Sequence, residues 1–167
     1  GEFIPAAEQT ALISKLTESI VRKVTRFLHD HANLLASLSH ISINISADDL
    51  SSNEASRRLL DILSGPDADP SRIGFEVTES MLLSSKQSVL ERWEAFSSKG
   101  VKFLLDDFGT GYANLESLTS LPFDVVKIDR SVISNSRNNY ELITVISLML
   151  ERLGKQIVAE GVETREQ

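Results

Sequence analysis

Residues 101–111 read Val-Lys-Phe-Leu-Leu-Asp-Asp-Phe-Gly-Thr-Gly. The run Val101 to Leu105 reads as a strand. Two adjacent carboxylates, Asp106 and Asp107, follow at its C-terminal end. Gly109 and Gly111 then predict a tight, mobile loop. An Asp-Phe-Gly triplet also occurs in kinase magnesium sites, but no glycine-rich loop or His-Arg-Asp segment precedes it here.

The same strand-then-polar unit recurs on both sides. Upstream, Ile41 to Ile45 and Arg72 to Val77 read as strands. Downstream, Asp124 to Ile128 and Gln156 to Ala159 do so. Helical spacing fills the intervals. Leu12, Leu16, Ile20, Val24 and Phe27 predict a helix from Pro5 to about His31. Asp48 or Asp49 is the expected cap of a helix carrying Leu59, Leu60, Ile62 and Leu63, which ends at Gly65-Pro66. Gln87 to Lys99 predicts a helix stopped by Gly100, and a short helix runs through Leu115 and Leu118 to Pro122. Glu141 to Leu153 predicts another, with Gly154 as its C-terminal cap. Alternating strands and helices imply an α/β fold with a parallel sheet and right-handed crossovers.

Polar residues stand at or near the end of every predicted strand: Asn44, Glu76, Asp106 with Asp107, Lys127 and Glu160. In a parallel barrel or open parallel sheet those ends converge on one rim, where α/β sites lie. Carboxylates crowded together cannot all stay ionised unless cations sit among them. Oxygen donors without cysteine specify a hard cation, Mg²⁺ or Mn²⁺ rather than zinc. The Asp106–Asp107 pair makes two ions plausible, and paired ions suit in-line displacement at phosphorus. Lys127 could orient the attacking water or neutralise developing charge.

Plainer roles compete at each position. Asn44 could be a turn or cap residue. Glu76 to Glu79 could begin a helix with Thr78 as cap, and Glu79 could tie down a loop. Lys127 could simply pair with Asp129. His29, His31 and His40 lie on or after the first helix and are expected to face solvent, whereas Trp93 and Phe96 are expected in the core. Five strand ends in register are harder to explain as caps than any one alone.

The chain has 167 residues, 41% hydrophobic and 25% charged, which fits one soluble domain. Seventeen basic against 24 acidic residues leave a formal charge of −7. That disfavours binding to DNA, whose affinity rests on Lys and Arg at phosphates. Without cysteine, disulfides and thiolate metal sites are impossible, and a cytoplasmic setting is expected. No apolar run reaches the ~20 residues of a membrane span, so no membrane contact is expected from this segment; a parent protein could still be anchored.

Four blocks resemble the signatures of EAL-domain cyclic-di-GMP phosphodiesterases. They are Phe75-Glu76-Val77-Thr78-Glu79-Ser80, Leu105 through Tyr112, Val126-Lys127-Ile128-Asp129, and Val158-Ala159-Glu160-Gly161-Val162-Glu163. The opening Glu2 to Glu8 and the Asn44-Ile45-Ser46 triplet are similar to that family too. The resemblance spans essentially the whole chain. It implies a TIM-type (β/α) barrel, two Mg²⁺ or Mn²⁺ ions, and hydrolysis of cyclic-di-GMP to the linear dinucleotide pGpG. It implies that Asn44, Glu76, Asp106, Asp107 and Glu160 are metal ligands and that Lys127 assists the water. Glu79 would hold the loop after Asp107, and Glu163 would support the ligands. Family members often dimerise through that loop and neighbouring helices.

The chain departs from the family pattern in two places. The name-giving Glu-Ala-Leu block and the final strand with its glutamine are absent; Gln167 comes too early for the latter. Residues 1–167 therefore read as a partial barrel domain, with about five parallel strands where the fold has eight. The expectation is a piece of a competent phosphodiesterase that is itself a weak or inactive enzyme. The alternatives are a non-hydrolytic cyclic-di-GMP receptor and a protein-interaction module. Unpaired sheet edges further predict a homo-oligomer or a strand-exchanged dimer.

Overall fold

The structure is a computed structural model that describes residues 7, 12–78, 81, 87–110, 118, 121–134 and 136–164. Five strands are present: β1 (Ile41–Asn44), β2 (Ile73–Thr78), β3 (Lys102–Phe108), β4 (Val125–Ile128) and β5 (Gln156–Ala159). They form one parallel sheet in chain order, β1-β2-β3-β4-β5, the order of a (β/α) barrel wall. The expected α/β class with five parallel strands is therefore what the structure shows. The helices are α1 (Ile13–Asp30), α2 (Ala47–Ser51), α3 (Asn53–Leu63), α4 (Gln87–Ser97), α5 (Arg130–Ser134) and α6 (Ser136–Arg152).

Two compact units divide the chain, one formed by Gly1–Phe75 with Lys86–Lys102, the other by Glu76–Ser85 with Phe103–Gln167. In the first unit, α1 buries Ile13, Thr17, Val21, Thr25 and Leu28. The stripe that announces this helix in the sequence lies one position away: Leu12, Ile20 and Phe27 are exposed. Threonine makes the difference. The Thr17 hydroxyl donates to the Ile13 carbonyl at 3.1 Å, and Thr25 Oγ1 donates to the Val21 carbonyl at 2.5 Å. A face counted as polar can thus be buried without an unpaired hydroxyl.

Ser46 caps the short helix α2. Its hydroxyl accepts from the Asp49 amide at 3.2 Å, while the Asp49 carboxylate accepts from the Ser46 amide at 2.9 Å. This reciprocal box satisfies two amides that the first helical turn leaves without partners. Ser52, not Asp48 or Asp49, caps α3, the helix that carries Leu59, Leu60, Ile62 and Leu63: its hydroxyl accepts from the Ala55 amide at 3.3 Å. Trp93 and Phe96 of α4 are fully buried, as expected, and Phe96 meets Phe75 of β2 edge-on with ring centroids 5.3 Å apart.

In the second unit, Phe103, Leu104 and Leu105 of β3 and Val125, Val126 and Ile128 of β4 are buried. Buried strands of this kind need side chains that pack on both faces, which explains their unbroken apolar runs. Asp124 ties the strand starts together: its carboxylate accepts from the Phe103 amide at 2.8 Å and its carbonyl accepts from the Gln156 amide at 2.9 Å. The helix expected from Glu141 begins earlier, at Ser136, because its first turn is polar and escapes apolar periodicity. Leu118 is helical and buried, but Leu115, the other mark of the predicted short helix, lies outside the described residues. Among the described residues no helix is long and apolar enough to cross a membrane.

Candidate active site

The chemistry gathers where β2, β3, β4 and β5 end, all within the second unit. In a regular strand, successive side chains point to opposite faces, so Asp106 and Asp107 should diverge. The β3–β4 register resolves this. Leu105 pairs with Val126 and Phe108 pairs with Ile128, so three steps along β3 match two along β4. Asp106 and Asp107 together therefore lie opposite Lys127, as in a bulge, which re-aims side chains. Asp107 adopts φ 56°, a left-handed conformation that aspartate tolerates better than most residues. Gly109, at φ 104°, turns the chain away, and a Cβ there would lie 2.5 Å from Val132 Cγ2. The strand runs to Phe108 rather than stopping at Leu105, because the bulge keeps it paired past the aspartates.

The result is a tight acidic group. Asp106, Asp107 and Glu160 each offer a carboxylate oxygen within 4.8 Å of the other two. Lys127 Nζ reaches Glu160 at 2.7 Å, Asp106 at 2.8 Å and Glu76 at 3.2 Å. The Lys127 side chain is only 15% exposed, and those of Glu76 and Asp106 are 12% and 16% exposed. One ammonium thus faces three half-buried carboxylates.

The electrostatics follow from that count. Burial by itself pushes the Lys127 ammonium towards its neutral form, but hydrogen bonds to Asp106, Glu160 and Glu76 outweigh it, and the net shift is upward. Lys127 therefore stays a donor. Burial first, then the charges of Asp106, Asp129 and Glu160, raise the Asp107 carboxyl, and Lys127 offsets only part of this. Four carboxylates around one ammonium leave an excess of negative charge. The donor set is all oxygen, so the residues present fit a hard divalent cation, which would relieve the repulsion felt by Asp107.

Lys127 does not pair with Asp129. The Asp129 carboxylate stands at the start of α5, where the Ser131 hydroxyl first and then the Ser131 amide, which donates at 2.8 Å, lower its pKa. Glu163 is exposed and pairs with Arg130 at 2.6 Å. Asn44 is the exposed last residue of β1 in the first unit. Glu79 lies outside the described residues. His29 and His31 are exposed and His40 is half-buried. Arg130 is a residue that no sequence pattern singles out; its only signal is its place two residues after β4.

A parallel sheet with an acidic, cation-ready rim at its strand ends defines the class: a (β/α) barrel domain built around a carboxylate cluster. The signature of the EAL domain matches residues 1–167, and the chain belongs to the EAL domain family. It is 35% identical over 168 residues to a probable cyclic di-GMP phosphodiesterase, PdeG, of Escherichia coli, covering 99% of this chain and 33% of that protein. Among solved structures it resembles the PaMucR phosphodiesterase in complex with c-di-GMP, with a TM-score of 0.87 and 31% identity over 99% of this chain and 68% of that one. It also resembles BlrP1 of Klebsiella pneumoniae in a manganese and cy-diGMP complex, with a TM-score of 0.71 and 26% identity over 88% of this chain and 39% of that one. The chain spans about a fifth to a third of the length of curated relatives such as these.

Proposed function

We propose that this chain is part of a bacterial phosphodiesterase that opens cyclic-di-GMP to linear pGpG. The observation that carries the proposal is the group formed by Asp106, Asp107 and Glu160 with Lys127 in its midst. The names of the relatives supply the substrate. Asp106, Asp107, Glu160 and Glu76 would hold Mg²⁺ or Mn²⁺, with Asn44 as a further ligand by family resemblance; the manganese complex of BlrP1 supports that choice of metal. When bound, two such ions activate water and stabilise the leaving oxygen of an in-line displacement at phosphorus.

The chain's own residues do the rest. The Asp106–Asp107 bulge presents two carboxylates side by side without moving β3. Lys127 holds its proton and donates to a phosphate oxygen or to the attacking water, where developing charge is stabilised by a donor already in place. Glu163 and Glu79 would steady the loops on either side. The absence of cysteine suits a cytoplasmic setting, where a nucleotide second messenger is met.

The partner side of the reading includes self-association. Leu142, Val145 and Leu148 on α6 and Val158 on β5 are exposed, and β5 ends the strand order. Exposed apolar faces and unpaired edges favour pairing with another copy, including strand exchange. A monodisperse monomer in ultracentrifugation at high concentration would remove that part of the proposal.

The enzyme reading is tested by incubating cyclic-di-GMP with Mn²⁺ or Mg²⁺ and this chain, or any longer natural polypeptide that contains it. The expected result is pGpG from the longer polypeptide, weak or no turnover by this chain, and none from either carrying Glu76→Ala. Nucleotide binding without cleavage by the longer polypeptide would instead make the domain a receptor.

A further inference from the structure

Two of the left-handed glycines in the second unit lie against the same short helix. Gly109, after β3, meets Val132 of α5. Gly161, after β5, has φ 65°, and a Cβ there would lie 2.5 Å from Arg130 Cγ, 2.8 Å from its Cβ and 2.9 Å from its Cδ. The aliphatic stem of Arg130 thus occupies the space that a side chain at 161 would need. Its guanidinium goes further and pairs with Glu163 Oε1 at 2.6 Å. Upstream, the Glu160 amide donates to the Ile128 carbonyl at 3.0 Å. Residues 160–163 are therefore gripped at three successive points, by β4, by the Arg130 stem and by the Arg130 head.

An exposed ion pair at this distance adds little to global stability: the two side chains are 63% and 60% exposed. Its location gives it another use. Glu160 has one hydrogen bond to set its backbone, and its carboxylate must reach both Lys127 and the Asp106–Asp107 bulge. A left-handed turn at the next residue, free to swing, would spread that carboxylate over many positions. We propose that Arg130 is a positioning residue: packed over Gly161 and bonded to Glu163, it fixes the path of the segment after β5 so that Glu160 stays in the acidic cluster. Val132 against Gly109 does the corresponding service for the loop after β3, so α5 braces the rim from below on both sides of β4. This assignment rests on the reading above only in taking Glu160 as part of the working rim.

The test compares wild type with Arg130→Ala, which removes stem and head, and Arg130→Met, which keeps most of the stem. Amide exchange across residues 160–164 is read by mass spectrometry, and Mn²⁺ binding to metal-stripped protein by calorimetry. The expected result is exchange faster by about tenfold in Arg130→Ala and Mn²⁺ affinity lower by about tenfold, the lower end for a group that supports metal ligands. Arg130→Met falls between, and exchange across β4 stays unchanged in both. In whichever form turns over, kcat falls while KM holds, because Arg130 does not touch substrate. Unaltered exchange and Mn²⁺ affinity in a folded Arg130→Ala protein overturn the proposal, and if that variant does not fold, the same result in Arg130→Met does so. If a longer polypeptide that contains the chain never cleaves cyclic-di-GMP and yet Arg130→Ala loosens 160–164, the phosphodiesterase reading falls and the brace stands. If it cleaves and the variants match it throughout, the reading stands and the brace falls.

Discussion

Each unit holds one acidic arrangement, buried in the first and half-buried in the second, and the two are built on opposite principles. In the first, Asp49 is completely buried, yet one of its oxygens accepts from the Thr17 hydroxyl at 2.9 Å, the Ser46 hydroxyl at 2.8 Å and the Ser46 amide at 2.9 Å. A single charge is shared among neutral donors that join α1 to the start of α2. In the second, Glu76, Asp106 and Glu160 converge on one ammonium and Asp107 has no cation of its own within the group. Buried polar groups that serve the fold meet local donors, as Asp49 Oδ2 does, although its Oδ1 meets none among the described residues. A cluster left short of positive charge serves something that arrives from outside, so a carboxylate's purpose is read from what surrounds it rather than from its burial.

Lys127→Met should separate the two regions most sharply. Removing the ammonium takes away the donor proposed to act on water or phosphate, and hydrolysis by the longest active form should fall about 100- to 1000-fold. The folded fraction, measured by circular dichroism, should stay high once Mn²⁺ is supplied, because the ion replaces the missing positive charge among the carboxylates. A loss of activity no greater than the loss of folded protein would reduce Lys127 to a structural ion pair and erase the distinction.

Asp49→Ala should do the reverse. It strips the capping box from α2 and leaves the half-buried Ser46 amide and hydroxyl without their acceptor, while the Thr17 hydroxyl keeps only the Ile13 carbonyl. The expected destabilisation is about 2–3 kcal/mol in urea unfolding. Asp49→Asn keeps one acceptor and should lose less. Mn²⁺ affinity of the protein that remains folded should not change. A drop in affinity with stability intact would show that the first unit's acid serves the metal after all.

Much of this was legible in the residues. The strand–helix alternation, the parallel sheet and the cluster Glu76, Asp106, Asp107, Lys127 and Glu160 follow from where apolar runs meet polar residues. What escaped did so for identifiable reasons. The buried face of α1 escaped because Thr17 and Thr25 return their hydroxyls to the helix backbone, so polarity in the sequence was not polarity in the fold. The cap of the helix that carries Leu59 escaped because the stretch that reads as one helix is two, α2 and α3, and the serines that open them, Ser46 and Ser52, stand on either side of Asp48 and Asp49. The Asp106–Asp107 bulge escaped because periodicity counts residues and cannot see one extra residue inserted against a partner strand. Arg130 escaped because its partners, Gly161 and Glu163, are some thirty residues away in the chain and meet it only across the sheet.

The smallest expected effect is the most diagnostic of an acidic group assembled at the expense of stability. Asp107 is held above the ordinary carboxylate range by burial and by its acidic neighbours. A carboxyl raised in the folded state binds its proton more tightly there than in the unfolded chain. Stability is therefore lost as pH rises from the unfolded carboxyl's range through the raised one, and the loss persists at neutral pH. Asparagine carries no charge at any pH and accepts the left-handed backbone at this position. Asp107→Asn should then raise the melting temperature of metal-free protein at pH 7, and only modestly, because water screens a carboxylate that is partly exposed. The gain should vanish below about pH 4, where the wild-type carboxyl is protonated as well. Saturating Mn²⁺ should reverse its sign, because only the wild type gains the full ligand set. A variant no more stable than wild type at pH 7 without metal would mean that Lys127 already neutralises the rim.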